Sequence, residues 1–208
     1  MSTAAEADLL GSASRLADVL DSFGACLGLE RKGVMYVSTP ITTGRRFYDW
    51  LLASGYLPDS GAEYGQAHAR EVIAKNTASA QALVATVRRR FDKTVVDPTR
   101  LDVPFWTQDD FHAFWTRLIT DYVGVVVFND GWEYSTGCCR EYAAAVNAEA
   151  TSLDANLSVL PPNVALMLTE QAIGRLRDEG HAVSGLLTAR HIIEQAISTT
   201  AREREQGS

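Results

Sequence analysis

At 208 residues, with 46% hydrophobic and 22% charged side chains, the chain can bury one substantial core and carry additions to it. Its formal net charge of −7 argues against a nucleic-acid-binding surface, which shows a basic excess. No apolar run approaches the roughly 18 residues of a membrane span, so no membrane partner is expected. The opening residues MSTAAEADLLGSASRLADVL carry acids early and lack the positive flank and apolar core of a signal peptide, so the expected location is the cytoplasm.

Residues 4–28 place Leu9, Leu10, Leu16, Val19, Leu20, Phe23 and Leu27 at helical spacing, which predicts an added N-terminal helix. Gly33 opens a first strand, Val34–Ser38, which ends at Thr39-Pro40. A helix over 44–54 stops at Gly55, a turn-rich segment covers 58–65, and a longer helix runs over about 68–91. A short second strand, Thr94–Val96, ends in Asp97-Pro98. Thr107 followed by Asp110 is a capping-box start for a helix over about 108–120. Val123–Phe128 reads as a buried third strand, followed by a tight polar turn and a helix to about Ala150, with Glu141 expected in its first turn. A weaker strand is expected within Ala155–Leu160, then a break at Pro161-Pro162 and two terminal helices over about 163–179 and 185–203.

This alternation predicts an α/β fold: a flavodoxin-like, doubly wound parallel sheet of four to five strands with one added N-terminal and two added C-terminal helices. The expected division is an extension over 1–32, the α/β domain over 33–160, and a helical pair over 161–208. That pair would pack on the domain or on a partner chain, and three added helices make a homodimer the expected assembly. Three cysteines, Cys26, Cys138 and Cys139, give no disulfide framework, and no CxxC or clustered histidines point to zinc. Cys138, next to a candidate active site, could be a nucleophile but reads rather as an alanine-like helix residue. No metal or cofactor is expected.

Three strand–loop–helix junctions end in polar or proline-containing sequence: YVSTPITTGRR at 36–46, VVDPTR at 95–100 and FNDGWEYSTGCCRE at 128–141. In a parallel sheet all three lie on the carboxyl edge, where ligands bind. A carboxylate there, Glu141, beside Gly131, Trp132, Glu133, Ser135 and Gly137, points to chemistry. Ser135 suits a helix N-cap. With Gly137 it could hold an anion at the helix start. Arg45 and Arg46 would suit a phosphate. Ser38, Thr39, Thr42 and Thr43 offer hydroxyls, Pro40 shapes the first loop, and Asp97 is a candidate ribose or base contact or the cap of its own turn. Trp132 is a candidate for stacking on a base or walling the pocket. Asp130 and Glu133 read as acid candidates or solvated loop residues, and His181 and His191 as helix-surface or capping residues.

These junctions resemble those of the nucleoside 2-deoxyribosyltransferase superfamily, and most of all a phage-rich, uncharacterised branch of it. That branch carries a Gly-Trp-Glu-x-Ser-x-Gly-Ala-x-x-Glu signature after the central strand. It reads here from Gly131 to Glu141, with Cys138 in place of alanine. The first loop has Thr39-Pro40 where Gly-Pro is usual, and the resemblance covers about residues 33–150. It implies that Glu141 attacks the anomeric carbon of a nucleoside or nucleotide and that Tyr36 orients it. It also implies a carboxylate on the helix before the central strand that protonates the leaving base. Asp109, Asp110 and His112 are the nearest groups, spacing does not choose among them, and Asp110 is carried forward. The implied activity is N-glycosidic hydrolysis of a nucleoside or its 5′-monophosphate. The alternatives are deoxyribosyl transfer and a non-catalytic nucleotide-sensing module.

Overall fold

The computed structural model describes residues 18–26, 28–56, 58 and 61–206. Helix α1 covers residues 18–26, with Leu20 buried and the Tyr122 hydroxyl donating to Asp21 at 2.9 Å. Leu9, Leu10, Leu16 and Leu27 of the expected N-terminal stripe lie outside the described residues. Then follow β1 (Val34–Ser38), α2 (Arg45–Ser54), α3 (Ala62–His68), and α4 (Ala74–Arg90), the last two joined by a π turn at Ala69–Ile73. Next come β2 (Val95–Val96), α5 (Gln108–Tyr122), β3 (Val123–Phe128), α6 (Thr136–Asn147), β4 (Thr151–Leu153), α7 (Pro162–Asp178) and α8 (Ser184–Gln206).

The four strands form one parallel sheet in the order β2-β1-β3-β4, with helices on both faces. Alternation along β1 decides which side chain meets which layer. Met35 and Val37 join Leu83, Val84 and Val87 of α4 on one face. Val34 and Tyr36 join Trp115, Leu118 and Ile119 of α5 and Tyr142 of α6 on the other. Helix α6 is nearly encased, and its small buried residues Cys138, Cys139, Ala143 and Ala145 let it sit close to its neighbours. Leu186, Ala189, Ile193 and Ala196 of α8 and Ala172, Ile173 and Leu176 of α7 belong to that same core.

Three expectations need correcting. The segment 58–65 is not all turn: α3 begins at Ala62, because burial of Tyr64 and Ala67 rewards helix formation despite Gly61 and Gly65. The fourth strand lies at Thr151–Leu153 rather than in Ala155–Leu160. There Asp154 accepts the backbone N–H groups of Asn156 and Ser158, both at 2.9 Å, and turns the chain back so that Val159 makes a single antiparallel bridge to Leu153. Finally, α6 starts at Thr136, so Glu141 lies in its second turn, beyond the amides that helix bonding leaves over.

Candidate active site

Strand order reverses between β1 and β3, the place where open α/β sheets receive ligands at their carboxyl edge. Tyr36 and Ser38 are two residues apart on β1, so both face the α5–α6 layer. Glu141 reaches toward them from α6. The Tyr36 hydroxyl donates to Glu141 Oε1 at 2.9 Å, and the Ser38 hydroxyl donates to Glu141 Oε2 at 2.6 Å. All three residues are buried. Burial pushes the Glu141 carboxyl up to about 7, while the hydrogen bonds from Ser38 and Tyr36 pull it back. Because Glu141 lies in the second turn of α6, the hydroxyls of Tyr36 and Ser38 support this carboxylate rather than the free amides of the helix start. Burial first, then the charge of Glu141, holds the Tyr36 phenol well above its ordinary value, so it stays a donor. Burial, then Glu141, likewise pushes up the Cys138 thiol, which makes it no thiolate nucleophile.

Glu141 and Tyr36 line a cavity of about 740 Å³. Thr39, Ile41, Thr42, Thr43 and Tyr48 line it from the first junction, and Pro98 and Leu101 from the second. Phe111, His112 and Trp115 of α5 form another wall, and Tyr134, Ser135, Thr136, Gly137 and Arg140 complete it. Asp102, Gln108 and Asp109 also line the cavity. Ser135 caps α6, its hydroxyl accepting the Cys138 N–H at 3.4 Å. His112 rests against Gly137 so closely that a Cβ there would lie 3.1 Å from the ring. Burial lowers the pKa of His112, and the nearby charge of Arg140 lowers it further.

Two asparagines missed in the sequence fasten the loops. Buried Asn129 donates to Thr39 Oγ1 at 3.0 Å and to Ser79 Oγ at 3.1 Å, and its N–H extends the β1–β3 ladder to Ser38 O. Asn76, just after the π turn, donates to the carbonyls of Ile41 and Thr43, both at 3.0 Å. An asparagine in an apparent helix stripe gives no sequence signal of this, because its partners are backbone groups far away. Gly131 closes the junction from the other side. Its φ is +79°, and a Cβ would lie 2.9 Å from Arg45 Cβ and 3.1 Å from Arg45 N.

Several predicted residues stand elsewhere. Arg45 pairs with the buried Glu133, so Glu133 is not a solvated loop acid. The Arg46 Nε–H donates to Asn76 Oδ1 at 3.0 Å. Arg45, Arg46 and Pro40 line a separate cavity of about 450 Å³, with Asp130, and do not reach the one holding Glu141. Trp132 is buried, stacked on Tyr142 at 5.3 Å and against Phe128 at 5.0 Å, a packing residue and not a pocket wall. Asp97 accepts from Thr99 N at 3.0 Å and Thr99 Oγ1 at 2.7 Å, capping its turn. Asp110 makes the capping box, accepting from Thr107 N at 2.8 Å, and is absent from the cavity wall that Asp109 and His112 line. His181 packs against Tyr48 at 5.1 Å, and His191 contacts Gln195 at 2.9 Å on α8. No family of known sequences, no characterised protein and no solved structure matches the chain.

Proposed function

We propose that the protein is an N-glycosidase that hydrolyses the N-glycosidic bond of a nucleoside or nucleoside 5′-monophosphate, with Glu141 as nucleophile. The observation that carries this reading is a single carboxylate gripped by two hydroxyls, from Tyr36 and Ser38, on the wall of a cavity large enough for a nucleotide. The strand order 2-1-3-4 agrees with the first four strands of the flavodoxin-like order 2-1-3-4-5, which supports a ligand at this point of the sheet edge. Tyr48, Phe111 and Tyr134 offer aromatic surface for a base.

In this reading a Glu141 oxygen bonds to C1′ as the C1′–N bond breaks, and the bonding pair leaves with the base. The base takes a proton from an acid of the same cavity; Asp109 and His112 line it and Asp110 does not, which favours one of the former two for this role. Water then attacks C1′ and gives its proton to the conjugate base of that acid. The Glu141–C1′ bond breaks, and the carboxylate is regenerated.

The test is incubation with a panel of nucleosides and 5′-monophosphates, measuring free base by chromatography. Base release by the wild type, lost by about 10³-fold or more in Glu141→Gln with ligand binding intact, is the expected result. Ligand binding with no base release from any compound would leave a sensing module in its place. Base exchange in the presence of a second free base, with little hydrolysis, would make it a transferase.

A further inference from the structure

Arg140 precedes the nucleophile on α6, lines the same cavity and is half-buried. Its Nε–H is buried without a hydrogen-bond partner, and among the described residues it forms no ion pair. Leaving such a group unsatisfied is unfavourable, so folded proteins normally give it an acceptor. Thr136 and Gly137 stand one turn earlier on the same helix face and also line the cavity. Their amides belong to the first turn, where helix bonding leaves donors over. His112 lies across Gly137 and adds a ring nitrogen to this end. Asp102 and Asp109 line the cavity too, yet among the described residues neither forms an ion pair with Arg140. Of the other arginines in these junctions, Arg45 and Arg46 open into the separate cavity, and Arg100 pairs with Asp97 at 3.5 Å.

We infer that Arg140 is the anion-recognising residue of this cavity, holding a substrate phosphate with the first-turn amides of α6, so that the protein prefers phosphorylated to unphosphorylated sugar. A guanidinium presents several N–H groups in a plane that matches phosphate oxygens, and it stays charged at all working pH values. The inference rests on the glycosidase reading for the identity of the sugar, but it is tested by binding and not by turnover.

The experiment is calorimetric titration of the full chain with the common nucleosides, their 5′-monophosphates and ribose 5-phosphate. Wild type should bind the best monophosphate at least about tenfold more tightly than its nucleoside. Arg140→Gln should bring that ratio to about one while leaving nucleoside affinity within about twofold, and Arg140→Lys should keep part of it. A wild-type ratio near one, or equal weakening of nucleoside and monophosphate in a folded Arg140→Gln variant, overturns the inference. If Arg140→Gln does not fold, the wild-type ratio and Arg140→Lys decide. Base release with a ratio near one would sink the role of Arg140 and leave the glycosidase. A phosphate preference that depends on Arg140, with no base release, would do the reverse.

Discussion

In the proposed reaction Glu141 has to be charged to attack carbon, yet it is buried where charge is unfavourable. The Tyr36 and Ser38 hydroxyls offset part of that cost by donating one to each oxygen. With the carboxyl at about 7, its ionised fraction rises with pH across neutrality. In the glycosidase reading kcat/KM should therefore follow a bell-shaped pH profile, its acidic limb set by ionisation of Glu141 and its alkaline limb by ionisation of the acid that protonates the base. Both donors favour the charged form, so removing either raises the carboxyl further. Tyr36→Phe and Ser38→Ala should each move the acidic limb to higher pH, by about one unit or more. An unmoved limb in both variants would assign the titration to another group. Glu141 was singled out in the sequence by the junction before it, and Tyr36 by the family resemblance alone, since a tyrosine in a strand reads equally as a core residue. The fate of Arg45 was not legible, since its partner Glu133 is 88 residues away on another loop.

The site depends on two loops from different strands meeting without slack. Gly131 begins the β3–α6 junction with a left-handed backbone, pressed on Arg45 at the start of α2. Gly131→Ala therefore carries both backbone strain and a clash with main chain. Gly180, between α7 and α8, has a nearly equal φ of +78° but nothing within 4 Å of its Cβ position. Gly180→Ala should cost about 1 kcal/mol in urea melts and leave turnover unchanged. Gly131→Ala should cost about 2 kcal/mol or more and lower kcat/KM at least about tenfold, because the junction that leads to Glu141 must shift. Equal effects of the two would show that contact between the loops is unimportant. At this scale the sequence revealed β3 through its continuous apolar run and α5 through its capping-box start. It concealed the three-residue β4, whose length is set by its partner strand and by the Asp154 turn. The start of α3 was hidden for a related reason: its glycines signal a turn, while the burial that outweighs them comes from the rest of the molecule.

Across the whole molecule, the helix that carries Glu141 is the centre of the packing. Helix α6 lies between the sheet and α8, so the C-terminal helices cover the layer that carries Glu141. Ile193 of α8 is fully buried in the same cluster as Tyr142 and Phe128. Its side chain is remote in sequence from every junction, but the core it completes also fixes the height of Glu141 over Tyr36 and Ser38. Ile193→Ala should destabilise the chain by about 2–4 kcal/mol and lower Tm by roughly 5–15 °C. Thermal unfolding should remain one transition, the same by far-ultraviolet circular dichroism and by tryptophan fluorescence, whose reporters include Trp115 and Trp132 in that core. Two separate transitions, with the tryptophan signal untouched by Ile193→Ala, would show that α8 is an independent appendage. A single shifted transition would mean that Glu141 is held in place by residues more than 50 positions further along the chain, which no local signature around Gly131–Glu141 could encode.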